Sequence, residues 1–335
     1  MPDSASILIA MRPALYHEIF AGEADARLRS LAELTFQGGE QNLTSSELAG
    51  QIAGHDIVIT SWGTPVFTAE VLKAADCLRL IAHSAGTIKR LLPPAVFADG
   101  RRVTHAAAAM APAVAETTLL LILLGLRKLH RVDRVFREGG WLAARALTMD
   151  GELAQTRIGI VGAGHTGRAL IQCLRPLAAE LWVYDPYLDA AQAETLAVKR
   201  VTLEQLLKEC PVVTLQAPST TATYRMIGAE QFGWLQDGAL FINTARSHLL
   251  DEAALLAELQ SGRIYAALDV FEEEPLPAAS PFLKLDNVIV TPHVASSTRE
   301  TRLRQGLIIA EEVALFLGES ELRYEVTGDM LDIIA

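Results

Sequence analysis

The stretch Arg157-Ile158-Gly159-Ile160-Val161-Gly162-Ala163-Gly164-His165-Thr166-Gly167-Arg168 joins an apolar run to three glycines in Gly-x-Gly-x-x-Gly spacing. The apolar run predicts a buried strand, and residues 168–177 predict the helix that follows it. A second apolar run, 181–184, ends in Asp185. Strand, glycine turn, helix and acidic residue in this order are typical of a dinucleotide-binding loop, whereas the glycines alone would be a much weaker signal.

Each glycine of this loop has a physical purpose. Gly162 permits the tight turn, Gly164 lets backbone approach a pyrophosphate, and Gly167 lets the helix lie close to the strand. The first turn of the helix then offers free N–H groups and a positive dipole end to phosphates. A carboxylate at Asp185 would accept hydrogen bonds from both ribose hydroxyls and repel a 2′-phosphate, which favours NAD over NADP. The predicted cofactor contacts here are Gly162, Gly164, His165, Thr166, Gly167, Arg168 and Asp185.

Composition narrows the class of protein. A chain of 335 residues, half of them hydrophobic and 21% charged, is expected to be globular and to form two domains. The net charge of −11 and the lack of a basic stripe disfavour nucleic acid as a partner. The three cysteines are isolated, which predicts reduced thiols, no metal site and a cytoplasmic location. No signal peptide is apparent, and the apolar run 119–126 is far shorter than the roughly 20 residues of a bilayer span, so no membrane partner is expected.

The apolar pattern alternates between strands and helices in two series. The first series predicts strands at 7–10, 56–60, 78–82 and 103–107, a helix at 18–32, and then a long helix from Pro112 to Phe136. The second begins at Arg157 and predicts a six-stranded sheet, after which a helix at 299–317 would return to the first domain. We therefore predict an α/β fold of two doubly wound parallel-sheet domains. A Rossmann cofactor domain, residues 106–297, would be inserted in a split flavodoxin-like substrate domain, residues 1–105 and 298–335.

Three titratable residues, Arg246, Glu274 and His293, follow predicted strands of the second series. Ligands bind at the carboxyl edge of such sheets, so these side chains are expected to meet there. A guanidinium can hold a substrate carboxylate in a two-point fork and polarise a ketone, and an imidazolium can donate a proton to it. A carboxylate would orient the ring and favour its charged form near neutrality. Singly, each residue has an ordinary explanation: a surface arginine, a solvated acidic loop and a hydrogen-bonded loop histidine.

Taken together, these motifs resemble the D-isomer-specific 2-hydroxyacid dehydrogenase family, which includes phosphoglycerate dehydrogenases and glyoxylate/hydroxypyruvate reductases. The resemblance covers nearly the whole chain. It rests on 114–116, the loop 162–168, 243–246, 250–252, 267–272 with 274–275, and 291–293. Three places depart from the usual pattern: Ser247 stands where the family usually has glycine, and Gln216 where many members have histidine. The third is the loop 83–87, His-Ser-Ala-Gly-Thr, where a more glycine-rich version is common.

The resemblance implies roles for particular residues. Arg246, Glu274 and His293 would be catalytic, and Asp269 would hydrogen-bond the nicotinamide carboxamide. Further cofactor contacts would come from Thr244, Ala245 and the backbone after His293. The substrate carboxylate would be received by backbone N–H groups of Ala85, Gly86 and Thr87, in addition to Arg246. The long helix after 114–116 would form much of a homodimer interface.

We therefore predict an NAD-dependent oxidoreductase that acts on a small anionic 2-keto or 2-hydroxy acid, with the D configuration implied by the resemblance. Two other classes stay open. One is an NAD(H)-sensing binding protein of the corepressor type, which keeps the same three polar residues. The other is an enzyme that resembles formate dehydrogenase, in which no proton-transferring carboxylate is needed, so that Glu274 counts against it.

Overall fold

The computed structural model describes residues 5–147, 151–177 and 180–334. The chain divides into two compact units. Unit 1 consists of Met1–Met110 with Ser297–Ala335, and unit 2 of Ala111–Ser296. The predicted domain boundaries lie after residues 105 and 297.

The strands form two wholly parallel sheets. The first has the order β2-β1-β3-β4-β5 and the second β12-β11-β10-β9-β6-β7-β8. Both orders reverse direction once, as doubly wound sheets do, which confirms the predicted fold class. The strands are β1 Ser6–Ala10, β2 Glu33–Phe36, β3 Ile57–Thr60, β4 Leu80–His83, β5 Arg102–His105, β6 Arg157–Val161, β7 Glu180–Tyr184, β8 Lys199–Arg200, β9 Val212–Leu215, β10 Leu240–Asn243, β11 Tyr265–Leu268 and β12 Val288–Val290.

Two of these strands are absent from the prediction. The second sheet has seven strands instead of the predicted six, because β8 adds an exposed edge strand of two residues. β2 is also an edge strand, and its residues alternate between exposed and half-buried. Edge strands carry polar side chains, so neither shows the continuous apolar run that marks a central parallel strand.

The helices cover the faces of the two sheets. The predicted helix 18–32 is wrong as a single element, because Gly22, with φ of +65°, separates two short helices. The final helix spans the predicted residues, and the hydroxyl of Thr298 caps its first turn. The helices are α1 Pro13–Ile19, α2 Glu23–Leu31, α3 Ser45–Gln51, α4 Ala69–Ala74, α5 Ala95–Ala98, α6 Ala111–Arg127, α7 Leu129–Arg137, α8 Trp141–Ala146, α9 His165–Leu174, α10 Ala190–Leu196, α11 Leu203–Glu209, α12 Ala229–Trp234, α13 Glu252–Gln260 and α14 Arg299–Leu317.

The predicted long helix from Pro112 to Phe136 is interrupted. Lys128 adopts the left-handed conformation, with φ of 49°, and this residue separates α6 from α7. A residue in that conformation ends the regular i to i−4 hydrogen bonds of a helix. By length and apolar composition, the helical run Ala107–Arg127 could cross a membrane, with a mean hydropathy of 1.9. In unit 2, however, α6 packs against α9 and β10, as the core helix of a doubly wound domain does.

Side chains of successive strand residues enter two cores on opposite faces of each sheet. In β1, Ile7 and Ile9 join one cluster and Leu8 joins the other. In β10, Leu240 and Ile242 join one cluster and Phe241 the opposite one. Because both faces are covered, the strands are apolar throughout and their polar chemistry is displaced to the loops at the strand ends.

Candidate functional site

In the glycine loop after β6, Gly162 and Gly167 are tightly packed against neighbouring backbone, whereas Gly164 faces open space. A Cβ on Gly162, whose φ is +102°, would lie 2.7 Å from the backbone nitrogen of Ala217. A Cβ on Gly167 would collide with the carbonyl oxygen of Gly162. Around Gly164, by contrast, nothing in the described chain lies within 4 Å of the Cβ position. The loop therefore has open space where a phosphate group would approach the backbone.

The second half of this loop is the first turn of α9, which begins at His165, and the N-terminus of α9 faces the same open space. Gly164 occupies the N-cap position and provides no side-chain cap, and the first turn of a helix presents N–H groups and a positive dipole end that favour an anion. The loop and the helix start therefore fit the pyrophosphate of a dinucleotide.

Two predicted cofactor residues also hold the loop in place. One carboxylate oxygen of Asp185 accepts the N–H of Ala163 at 2.7 Å, and the other accepts the N–H of Tyr187 at 2.8 Å. The Nε atom of Arg168 donates to the carbonyl of Ala163 at 2.8 Å. Since a carboxylate oxygen can accept two hydrogen bonds, Asp185 retains acceptor capacity for ribose hydroxyls while it fixes Ala163.

At the end of β10, Asn243 shapes the turn that presents Arg246. Its Oδ1 accepts the N–H of Ala245 at 3.0 Å, and its Nδ2 donates to the carbonyl of Arg246 at 2.9 Å. Asn243 is fully buried, and sequence reasoning assigned it no role, although asparagine after a strand is a known signal for such a turn. Ser247 is not among the described residues with positive φ, so the usual glycine is not required there.

Arg246 is a desolvated cation. Burial lowers the pKa of Arg246 from its usual value, and the negative charge of Glu274 opposes that shift. Its one recorded hydrogen bond joins Nη1 to the carbonyl of Ala245 at 2.7 Å. Among the described residues, no carboxylate oxygen lies within the 4.0 Å of an ion pair with it. A charge withdrawn from water without a paired anion is costly, so Arg246 is well suited to bind an anionic ligand.

His293 and Glu274 form a direct pair. The Nδ1 atom of His293 lies 2.7 Å from Oε2 of Glu274, and Oε1 of Glu274 accepts the N–H of Phe271 at 3.0 Å. The side chains of His293 and Glu274 are 48% and 36% exposed, so a small molecule can reach the pair. The backbone contact with Phe271 restricts rotation of the carboxylate, and the carboxylate in turn orients the ring.

The backbone at His293 is held in an unusual conformation by Asp269. His293 has φ of +54°, in the left-handed region that non-glycine residues rarely occupy. Asp269, which is 1% exposed, accepts the Oγ1 hydroxyl of Thr291 at 2.6 Å and the N–H groups of Val294 and Ala295 at 2.9 Å each. The residue predicted to contact nicotinamide therefore has three donors from its own chain, on both sides of His293.

Thr244 belongs to a buried polar network inside unit 2. Its Oγ1 lies 2.8 Å from Oγ1 of Thr118 and 3.1 Å from Nε2 of Gln216, which also lies 3.0 Å from Oγ1 of Thr214. The hydroxyl predicted to contact the cofactor is thus engaged within the domain. The polar partners that occupy it come from α6, β9 and the end of β9, and no local sequence pattern indicates that they meet.

The sheet order brings the three predicted catalytic residues to one edge. Arg246 follows β10, Glu274 follows β11 and His293 follows β12, and these strands are neighbours in the sheet. Adjacent strands are about 4.8 Å apart, so the loops that follow them share one small surface. The structure therefore gathers these side chains at the carboxyl edge of unit 2.

The loop predicted to receive the substrate carboxylate belongs to unit 1 and follows β4. Both the backbone N–H and the hydroxyl of Ser84 bond to the carbonyl of Thr60, at 2.8 and 2.9 Å. In the described chain, the N–H groups of the next three residues, Ala85, Gly86 and Thr87, have no recorded acceptor. Consecutive unpaired N–H groups of this kind are suited to bind an anion.

Comparison with known proteins agrees with this geometry. Residues 119–295 match the model of the D-isomer specific 2-hydroxyacid dehydrogenase NAD binding domain. The chain is 35% identical to a D-3-phosphoglycerate dehydrogenase of Archaeoglobus fulgidus over 81% of this chain and 51% of that protein. It is 33% identical to a hydroxypyruvate reductase of Thermotoga maritima over 83% of this chain and 90% of that one.

A solved structure shows the same architecture. The crystal structure of a phosphoglycerate oxidoreductase from Rhizobium etli matches with a TM-score of 0.78 and 28% identity, over 96% of this chain and 97% of that one. The chain spans about half the length of the Archaeoglobus enzyme. The matched NAD-binding domain contains the glycine loop, Asp185, Arg246, Glu274 and His293. The chain belongs to the D-isomer-specific 2-hydroxyacid dehydrogenase family.

Proposed function

We propose that this protein is an NAD-dependent oxidoreductase that interconverts a small 2-keto acid and its D-2-hydroxy acid. One observation carries the proposal: a reachable His293–Glu274 pair lies at the same sheet edge as Arg246, a half-buried cation that has no paired carboxylate among the residues that the structure describes. Bound NAD(H) would supply or accept the hydride, held by the glycine loop, the start of α9 and Asp185. The remaining chemistry belongs to side chains of the protein.

Arg246 would bind the anionic substrate and polarise its ketone. A guanidinium presents a planar fork that matches a carboxylate, and its charge stabilises negative charge that develops on the carbonyl oxygen. Because the group is already desolvated, it needs little reorganisation when the substrate arrives. In unit 1, the N–H groups of Ala85, Gly86 and Thr87, which have no acceptor among the described residues, are the further groups that we propose for the substrate carboxylate.

His293 would move the proton. The carboxylate of Glu274 only accepts hydrogen bonds, so the Nδ1 atom of His293 carries a hydrogen and the Nε2 atom is left for the substrate. With the ring charged, Nε2–H donates to the carbonyl oxygen during reduction. With the ring neutral, Nε2 accepts the hydroxyl proton during oxidation.

The substrate class of this protein is inferred by similarity, from the names of its relatives. A D-3-phosphoglycerate dehydrogenase and a hydroxypyruvate reductase both act, by name, on short hydroxy or keto acids. This supports a small anionic 2-keto or 2-hydroxy acid as the substrate class here. The cytoplasmic location predicted from the isolated cysteines, and the absence of nucleic-acid and membrane partners, stay predictions.

We also propose that two copies of the chain associate through the α6–α8 region. Large apolar side chains there are 39% to 79% exposed, which is unusual for a surface with no partner. These side chains are Leu120, Leu123, Leu129, Phe136, Trp141 and Leu142. Light scattering should give twice the mass of one 36.2 kDa chain, and Leu120→Glu should shift the mass towards one chain. A wild-type mass of one chain at micromolar concentration would contradict the proposal.

The function is tested by following NADH absorbance with glyoxylate, hydroxypyruvate and a panel of other 2-keto acids. His293→Ala should lower turnover by about 10²- to 10⁴-fold, the usual contribution of general acid-base catalysis, while NADH still binds. His17→Ala, an exposed histidine of unit 1, is the matched control. If the wild type binds NADH but reduces no acid in the panel, the protein is instead an NAD(H)-sensing binding protein. Reduction of NAD that depends on formate would instead identify an enzyme that resembles formate dehydrogenase.

A further inference from the structure

His105, the last residue of β5, bonds to the loop of unit 1 whose N–H groups at 85–87 have no acceptor in the described chain. Its Nδ1 atom lies 2.8 Å from the carbonyl oxygen of Gly86. A carbonyl oxygen only accepts, so Nδ1 must carry the hydrogen of this bond. The neutral Nδ1–H tautomer and the charged ring both meet that condition, and the bond therefore does not depend on one charge state of His105.

The bond to Gly86 determines where the next N–H group points. The carbonyl of Gly86 and the N–H of Thr87 belong to one planar trans peptide, in which they point in opposite directions. While the carbonyl is directed at His105, the N–H of Thr87 is directed away from it. Thr87 is exposed, and its N–H has no recorded acceptor in the described part of the chain.

Without this bond, little would prevent the Gly86–Thr87 peptide from rotating. Glycine has the widest conformational range of any residue, so rotation about Gly86 costs less than at other residues. Two residues before Gly86 the chain is fixed, because the N–H and the hydroxyl of Ser84 both bond to the carbonyl of Thr60. The bond from His105 is thus the recorded side-chain contact that selects one orientation in the middle of the loop.

The neighbouring His83 adds no charge beside His105. His83 and His105 are register partners on adjacent strands, so their side chains lie on one face of the sheet. His83 is buried, with Nδ1 2.9 Å from Oγ1 of Thr60. Burial lowers the pKa of His83 to about 3, so it is neutral at ordinary pH and does not repel a cation beside it.

We propose that His105 is a positioning residue for substrate binding, which orients the Gly86–Thr87 peptide so that an N–H, rather than a carbonyl oxygen, faces the substrate carboxylate. The inference rests on the proposed function, because that function supplies the substrate carboxylate that the loop 85–87 would bind. A rotated peptide would present a partial negative charge to an anion, and binding of the anion would weaken.

Three variants separate the donor from the bulk of the ring. In His105→Asn, Nδ2 occupies the position of the histidine Nδ1 atom and donates in its place. In His105→Gln the amide is one bond farther from the backbone, and in His105→Phe the donor is removed while the ring is kept. His55→Gln is the matched control, because Nδ1 of His55 contacts a carbonyl of the same unit, that of Ala53 at 3.1 Å, outside this loop.

For each variant we would measure kcat and KM with glyoxylate at saturating NADH, the NADH dissociation constant, and binding of oxamate to the NADH complex by calorimetry. Oxamate is an unreactive analogue of a 2-keto acid. We expect Gln and Phe at position 105 to raise KM and the oxamate dissociation constant roughly tenfold, the effect of about 1.4 kcal/mol. We expect His105→Asn and His55→Gln to stay within about twofold of the wild type, and kcat and NADH binding to change little in all variants.

Two results would overturn the inference while leaving the proposed function intact. The first is unchanged oxamate binding in the Gln and Phe variants. The second is equally weakened oxamate binding in His105→Asn, His105→Gln and His105→Phe. The donor of Asn would then fail to restore binding, and the imidazole ring itself, not its hydrogen-bond donor, would be what matters. If the wild type neither reduces a keto acid nor binds oxamate, the proposed function fails and takes the inference with it.

Discussion

Asp269 fixes the backbone on both sides of His293. Its carboxylate accepts the hydroxyl of Thr291 and the N–H groups of Val294 and Ala295, and between them His293 keeps φ of +54°. Strained backbone of this kind costs of the order of 1–3 kcal/mol and persists when surrounding contacts enforce it. The imidazole is therefore oriented twice, through its ring by Glu274 and through its backbone by Asp269.

Asp269→Asn tests this arrangement. The amide nitrogen would meet a backbone N–H in place of an acceptor, and a buried donor left unsatisfied costs about 1–3 kcal/mol. We expect the free energy of unfolding to fall by that amount and kcat to fall at least tenfold, because His293 is no longer held. Urea denaturation and steady-state kinetics measure the two effects, with the largely exposed Asp237→Asn as control.

The resemblance assigns Asp269 a different role, contact with the nicotinamide carboxamide. If that were its sole contribution, Asp269→Asn would weaken NADH binding and leave the stability of the apoprotein unchanged. Such a result would contradict the role that we infer from its three hydrogen bonds.

Gly164 and Gly167 should respond differently to the same small change. Gly164→Ala places a methyl group in open space, so we expect the stability to change by less than about 0.5 kcal/mol. The methyl group would nevertheless occupy the approach of the pyrophosphate, and NADH should bind at least tenfold more weakly. Gly167→Ala would drive a methyl group against the carbonyl of Gly162, and we expect it to destabilise the protein by about 1–3 kcal/mol.

Fluorescence titration with NADH and thermal denaturation distinguish these two glycines. Wild-type affinity in Gly164→Ala would show that the pyrophosphate does not approach the loop as proposed. Wild-type stability in Gly167→Ala would show that α9 is free to move away from β6.

Asp185 should control the choice between NADH and NADPH. Its carboxylate is expected to repel a 2′-phosphate, but it also accepts the N–H groups of Ala163 and Tyr187. Asp185→Asn removes the charge and Asp185→Ala also removes the acceptors. We expect both to narrow the preference for NADH by roughly tenfold. Both should also loosen the loop, because Asp185→Asn turns a donor towards one of the two backbone N–H groups and Asp185→Ala leaves both without an acceptor. The ratio of the two dissociation constants is the measurement, and an unchanged ratio in both variants would exclude Asp185 from ribose recognition.

Local patterns in the sequence predicted the elements that local forces determine. The final helix spans the predicted residues because Thr298 caps its start and Gly318 follows its end. The central strands were also predicted, because each is a continuous apolar run in the sequence. β2 and β8 were missed because edge strands lack that pattern. The break at Lys128 was missed because the left-handed residue there is a lysine and not the glycine that usually takes that conformation.

At the candidate site, the sequence predicted which residue types would meet, but it did not predict their burial or their hydrogen-bond partners. Arg246, Glu274 and His293 each follow a strand, so the carboxyl-edge rule brings them together. The burial that lowers the pKa of Arg246 arises only in the folded chain, and the three donors on Asp269 come from a loop 22 to 26 residues away. Asn243 could have been identified, since an asparagine at the end of a strand often closes a turn.

The buried His83 should make the stability of unit 1 depend on pH. Burial lowers the pKa of His83 from 6.5 to about 3, so in the folded protein it stays neutral as the pH falls. The unfolded chain takes up a proton on this residue near pH 6.5, and therefore binds more protons than the folded chain between about pH 6.5 and pH 3. Stability must then decrease as the pH is lowered through this range and be fully restored above it.

Between pH 7 and pH 5, this effect should lower the free energy of unfolding by about 2 kcal/mol, at 1.36 kcal/mol for each unit below 6.5. His83→Asn keeps a side-chain donor near Thr60 but does not titrate, so its loss of stability over the same interval should be smaller by that amount. Urea denaturation at both pH values measures the difference, and the partly exposed His55→Asn should behave as the wild type. Equal losses in the wild type and in His83→Asn would mean that another group, not His83, takes up the proton.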